Sequence, residues 1–171
     1  ISMHPDQFVL INSLNRTVLN NSIKELNWHN ELLDLMGLDE SAKIQIHVGG
    51  IFNDKKNAIK RFIQNYKNLP QAIKKRLVIE NDDKLYSLKD CIEISKKIKI
   101  PVIFDTFHHS CLNNLEGLNE ALAQARKTWS KKDSPQMVDY NSQEKKKKKG
   151  RHSTKIDIED FRKFIENLEE T

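Results

Sequence analysis

Short apolar runs that break off in a metal-type side chain recur through this chain, and they restrict its fold more than any other feature. Ser2-Met3-His4-Pro5, Ile46-His47-Val48-Gly49 and Val78-Ile79-Glu80-Asn81 each end in His or Glu and pass at once into Pro, Gly or Asn. Pro101-Val102-Ile103-Phe104-Asp105 ends the same way in Asp and adds His108 three residues on. Runs of this length bounded by turn formers read as buried strands. Side chains at the carboxyl ends of successive parallel strands meet on one rim of a sheet or barrel, where catalytic groups collect. The pattern predicts a multi-metal active site.

Helical periodicity fills the intervals. Residues 13–35 place Leu14, Val18, Leu19, Ile23, Leu26 and Leu33 on one face, and Gly37 supplies a C-terminal stop. A strand at 43–48 precedes a helix at 54–69 that Pro70 stops. A strand at 76–79 precedes a helix at 87–98, where Ser87 and Asp90 fit a capping box. A strand at 101–104, a helix at 119–129, a short strand at 137–140 and a helix at 158–168 complete the series. Alternation of this kind indicates an α/β fold with a parallel sheet and right-handed crossovers. Only about five strand–helix units are present, whereas a closed barrel of this type has eight. The fold class is therefore an incomplete TIM (β/α) barrel, read as one partial domain over residues 1–171. The chain also begins inside a strand, so either the sheet is open or, as expected here, the chain is part of a longer enzyme.

Composition excludes some classes. Hydrophobic residues at 37% and charged residues at 31% describe a polar chain, with no stretch near the roughly 20 apolar residues of a membrane span and no signal-peptide pattern at its start. Cytoplasm is the expected compartment, with no membrane partner. Cys91 in a helix and Cys111 in a loop beside a His pair do not suggest a disulfide framework. The five lysines at 145–149 carry a charge equal to the whole net charge of +5, so basicity is confined to one Lys-rich loop at 144–151. Such a run is either a solvated loop or a phosphate-attracting arm.

His4, His47, Glu80, Asp105, His108 and Asp139 all fall at or just past a strand end. Imidazoles and carboxylates without thiolate suit manganese or zinc best, with magnesium also admissible. Buried carboxylates at Glu80 and Asp105 cost several kcal/mol each, about, unless cations neutralise them. Glu80, Asp105 and His108 are the catalytic candidates. Asn81, with Asp82 and Asp83, reads either as a polar turn or as support for the ligands. His109 points away from His108 and orients a ligand or touches substrate, while His29 beside Trp28 is a helix-packing residue. No nucleotide cofactor is expected.

At these residues the chain resembles the ultraviolet damage endonuclease family, relatives of endonuclease IV among the xylose-isomerase-like barrels. The resemblance rests on Ile1-Ser2-Met3-His4-Pro5-Asp6-Gln7-Phe8, Ile46-His47-Val48-Gly49-Gly50, Leu77-Val78-Ile79-Glu80-Asn81-Asp82-Asp83, Pro101-Val102-Ile103-Phe104-Asp105-Thr106-Phe107-His108-His109, Asp139-Tyr140-Asn141-Ser142-Gln143 and Gly150-Arg151-His152-Ser153. It implies a metal-dependent, usually manganese, DNA repair endonuclease that cuts the backbone 5′ to pyrimidine dimers and 6-4 photoproducts in double-stranded DNA. His4, His47, Glu80, Asp105 and His108 would be metal ligands, and Gln7-Phe8 the pair that probes the lesion. Phe8 also fits a core position at a helix start, because Val9, Leu10 and Ile11 continue the apolar run. Ser142, Gln143, His152 and Lys155 would contact the DNA backbone. Where the family carries Lys and His on the fifth strand, this chain has Met137 and Asp139, which excludes a modified-lysine ligand but leaves Asp139 able to bind metal. A sugar isomerase-type barrel and a DNA- or metal-binding remnant without catalysis are the alternatives. The resemblance further implies that the first strands and the last strand of the barrel are missing here; a monomer is expected, and the 171 residues alone are expected to be inactive and poorly soluble.

Overall fold

The computed structural model describes residues 1–168. Five parallel strands lie side by side in chain order: β1 (Ser2–Met3), β2 (Lys43–His47), β3 (Leu77–Glu80), β4 (Val102–Asp105) and β5 (Val138–Asp139). Helices α1 (Arg16–Leu35), α2 (Lys55–Asn68) and α4 (Leu88–Ile98) connect them on one side. They are joined by the short α3 (Gln71–Arg76) and α5 (Thr106–Cys111), then by α6 (Leu118–Arg126) and α7 (Ile158–Glu166). This is the expected incomplete barrel.

Side chains alternate across each strand. Ile44, Ile46, Leu77, Ile79, Val102 and Phe104 join the core beneath the helices with Leu26, Leu33, Phe62, Tyr66, Leu88, Cys91 and Ile94. The alternate positions, Gln45, His47, Val78, Glu80, Ile103 and Asp105, therefore share the inner face. Lys43 shares it too, fully buried, and its Nζ donates to the Lys75 carbonyl at 2.9 Å and to Asp133 Oδ1 at 3.2 Å. That bond seals the end of the inner face opposite the strand carboxyl ends. Register sets His47 beside Glu80 and Asp105 beside Asp139.

Several boundaries differ from expectation. Helix α1 begins at Arg16, because the Asn15 side chain accepts from Thr17 N and Val18 N and caps it there. Pro70 both stops α2 and opens α3, so Arg76 ends a helix and does not begin a strand. Its buried guanidinium donates to Asp34 Oδ1 and to the Leu38 and Asp39 carbonyls, tying α3 to the turn after α1. Cys111 closes α5 and is not in a loop. The Ser87–Asp90 cap forms as expected, with Ser87 N donating to Asp90 Oδ2 at 2.9 Å. Gly37 follows α1 at φ +70°. Among the described residues no helix is long and apolar enough to cross a membrane.

Candidate metal centre

His4 lies one residue past β1, and His47, Glu80, Asp105 and Asp139 are the last residues of β2 to β5, so parallel pairing brings all five to one rim. His108 arrives from the first turn of α5, where its backbone N–H donates to Asp105 Oδ1 at 2.7 Å. The Asp105 carboxylate thus caps the helix that carries its neighbour.

Glu80 is the hub. Its Oε2 accepts from His4 Nε2 at 3.2 Å and lies 3.9 Å from His47 Nε2, while Oε1 faces His108 Nδ1 at 2.9 Å. Asp105 Oδ2 is 3.6 Å from the same nitrogen. Two ligand groups result, His4–His47–Glu80 and Glu80–Asp105–His108, each with donor atoms within 4.8 Å of one another. The imidazole centroids of His4 and His47 are 5.2 Å apart, and those of His47 and His108 5.6 Å. Side chains separated by up to 104 positions therefore converge as the sequence predicts.

The electrostatics follow from crowding. Burial alone would raise the Glu80 carboxyl, yet hydrogen bonds from His108 and His4 hold it well below the usual carboxylate range. The same Glu80 bond raises His4. Burial pulls His108 down, but Glu80 and the charge of Asp105 overcome it and push the ring up to about 9. Burial lifts Asp105 to about 6 and raises Asp139. His47 is lowered by burial, and its Nδ1 is buried without a partner among the described residues.

These features fit divalent cations. His4 Nδ1 donates to the Pro5 carbonyl at 2.8 Å, so Nε2, once it gives up the proton it shares with Glu80, is the nitrogen that would bind a metal. The His47 ring, with Nε2 3.9 Å from the buried Glu80 carboxylate, joins His4, His108 and the buried Asp105 carboxylate in a donor set of nitrogen and oxygen that suits a metal ion. Asn81 is fully buried, and its amide exchanges two 3.0 Å hydrogen bonds with the Asp105 backbone. It holds the ligand strand in place. Asp82 makes the bland turn, accepting from Lys84 N and Leu85 N.

Gly49 makes the bend after His47 possible. It has φ +109°, and a Cβ there would overlap the side-chain oxygen of buried Asn12. Asn12 Nδ2 donates to the Gly50 carbonyl at 2.8 Å, joining the loops that follow β1 and β2.

Other expected residues lie at varying distances from the cluster. Gln7 and Phe8 form an exposed turn just past His4; Phe8 is 71% exposed while Val9 and Ile11 are buried, so the apolar run packs without it. His152 Nε2 lies 3.2 Å from His108 Nε2. Ser142 is buried and its Oγ accepts from Asp157 N, Gln143 folds its side chain back on its own loop, and Lys155 is exposed. His109 turns away to the edge of the Phe104 ring at 5.0 Å. His29 packs in α1 with Nδ1 donating to the Glu25 carbonyl. Two participants were not singled out by the sequence pattern. Gln45 donates to Glu80 Oε2 at 2.6 Å and to Asp139 Oδ2, and Asn141 Nδ2 donates to Asp105 Oδ2 at 3.1 Å. Gln45 stands two residues before His47, hence on the same face, and that spacing was the available signal.

Fold and site together define an α/β half-barrel with histidine–carboxylate ligand groups on its carboxyl rim. The family model described as UV-endonuclease UvdE matches residues 1–170, and the chain belongs to that family. It is 43% identical over 99% of its length to a UV DNA damage endonuclease of Clostridium perfringens, covering 42% of that protein. With the UV DNA damage endonuclease of Bacillus thuringiensis subsp. konkukian it shares 39% identity over 96% of its length, covering 52% of that protein. The chain thus spans about half the length of these curated relatives. The crystal structure of SacUVDE superposes with a TM-score of 0.92 at 52% identity, over 99% of this chain and 57% of that one. D-psicose 3-epimerase from Clostridium cellulolyticum H10 shares the fold alone, with a TM-score of 0.57 at 12% identity over 74% of this chain and 48% of that one.

Proposed function

We propose that this site belongs to a DNA repair endonuclease that incises the backbone of double-stranded DNA 5′ to pyrimidine dimers and 6-4 photoproducts. The observation that carries the reading is the convergence of His4, His47, His108, Asp105 and Asp139 around Glu80, in a chain whose relatives are named UV DNA damage endonucleases. A divalent cation, with manganese expected ahead of zinc or magnesium, supplies Lewis acidity toward a phosphodiester oxygen and neutralises its charge. His4, His47, Glu80, Asp105 and His108 hold it, with Asp139 in the place of a further ligand. Asn81 fixes the backbone of Asp105, and His109 stays outside the ligand set.

His152, facing the outer nitrogen of His108, and Lys155 hydrogen-bond phosphate oxygens of the cleaved strand. Ser142 and Gln143 act on DNA through the loop they hold. Gln7 and Phe8 enter the duplex at the lesion. Unstacking a base step costs a few kcal/mol, roughly, and a photoproduct has already lost part of that stacking. An exposed phenylalanine beside a ligand histidine supports this role. The protein acts in the cytoplasm as a monomer.

Supercoiled plasmid, irradiated or not, incubated with the full-length protein tests the reading. Irradiated plasmid is expected to relax with manganese and not with chelator, and Glu80→Gln is expected to slow nicking by about 100-fold. Nicking that persists undiminished with chelator, or turnover of a ketose in place of nicking, overturns it.

A further inference from the structure

The five lysines at 145–149 are not a loose arm. They cap a hairpin between β5 and α7 in which Gln143 pairs with His152 in antiparallel fashion, Glu144 N donates to the Arg151 carbonyl at 2.7 Å, and Ser153 N to the Ser142 carbonyl at 2.8 Å. The Gln143 amide staples the tip from inside: Nε2 donates to the Glu144 and Lys148 carbonyls and Oε1 accepts from Gly150 N at 3.0 Å. Gly150, at φ +87°, lets the hairpin approach Asp83 so closely that a Cβ would lie 2.7 Å from the carboxylate. Lys145 pairs with Asp157, and Lys149 donates to the Cys111 carbonyl. Lys146, Lys147 and Lys148 are exposed and have no acidic partner among the described residues.

The base of this hairpin is part of the rim, since His152 touches His108. Lys148 is four residues from His152, a reach of at most ~14 Å along the backbone, or about four base pairs of duplex. The rim itself carries the carboxylates of Glu80, Asp105, Asp139 and Asp83, and the cationic groups there are already engaged by them, Lys84 on Asp83 and His4 and His108 on Glu80, so it offers a polyanion no surplus positive charge. The rest of the chain is neutral once the five lysines are set aside. The attraction toward nucleic acid is thus concentrated in one stiffened hairpin beside the site.

We propose that Lys146, Lys147 and Lys148 clamp the phosphate backbone of duplex DNA, without reading sequence, a few base pairs from the phosphodiester held over the ligand cluster. The inference rests on the endonuclease reading and adds to it a contact that positions undamaged flanking DNA. Each phosphate neutralised releases condensed counterions, so the clamp must appear in the salt dependence of binding.

The test uses full-length protein, an undamaged fluorescent duplex, and sodium chloride between 50 and 200 mM. Lys146→Ala/Lys147→Ala/Lys148→Ala is expected to flatten the slope of log K against log salt by about 2.7. Over that range the triple variant then loses about 40-fold less affinity than the unaltered protein. The corresponding triple arginine variant is expected to keep the original slope, and an unchanged melting temperature excludes misfolding. An alanine variant with the original slope, no salt-dependent duplex binding by the unaltered protein, or a slope change seen only with an RNA duplex overturns the clamp. Failure to nick irradiated plasmid with the slope change intact sinks the endonuclease reading and leaves the clamp standing.

Discussion

The Gln45 amide donates to Glu80 and Asp139 together, so a single neutral side chain keeps one buried and one half-buried carboxylate in register on the inner face. Gln45→Leu leaves both without that donor. We expect a 10–100-fold loss of metal affinity by chelator competition, and a loss of about 1–3 kcal/mol in urea unfolding of chelated protein. An unchanged metal affinity would exclude a role for Gln45 in setting ligand geometry. A second outcome follows from His108, whose ring the Glu80 and Asp105 carboxylates push up to about 9 against burial, from 6.5. Between those values the folded state keeps a proton that the unfolded chain has released. The stabilisation is complete below pH 6.5 and disappears as pH climbs to about 9. The melting temperature of chelated protein should fall across that window, and less so in His108→Asn; a flat or rising profile contradicts it. Four of the candidate ligands, His4, His47, Glu80 and Asp105, were legible because each ends an apolar run. Gln45 was not, since one amide inside a buried strand carries no turn signal and only its two-residue offset from His47 marks it.

At the level of elements, two glycines separate backbone strain from steric room. Gly37 has φ +70° with nothing within 4 Å of an added Cβ, whereas Gly49 combines φ +109° with overlap on Asn12. Gly37→Ala is expected to cost about 1 kcal/mol and Gly49→Ala about 3 kcal/mol or more in urea unfolding, because the second adds a clash to the left-handed penalty. Equal costs would mean that the His47 loop yields freely. The long helices and buried strands were readable from their periodicity, which needs several turns to emerge. The six-residue helices α3 and α5 offer less than two turns, so Pro70 read only as a stop and Cys111 as a loop residue. Strand β5 is two residues long, shorter than expected, and Asp139 at its end was singled out by its place in the alternation and not by an apolar run; it belongs to neither three-residue ligand group among the described residues.

Across the molecule, the alternation of strands and helices sufficed to give a parallel sheet with neighbours in chain order and about five units of a barrel. The order of β1 to β5 leaves β1 and β5 with one unpaired side each among the described residues. Helix α7 adds an uncovered apolar surface, with Ile158 69% and Ile165 49% exposed. Open strand edges and apolar helix faces promote association. The 171-residue chain is expected to self-associate with rising concentration in sedimentation velocity. Monomeric behaviour of the segment throughout a concentration series would contradict this. Sequential strand order also gives the centre a schedule. The first candidate trio has all its members once position 80 has left the ribosome and the second once position 108 has, so a nascent polypeptide would carry a complete set of donors before its lysine-bearing hairpin has been translated.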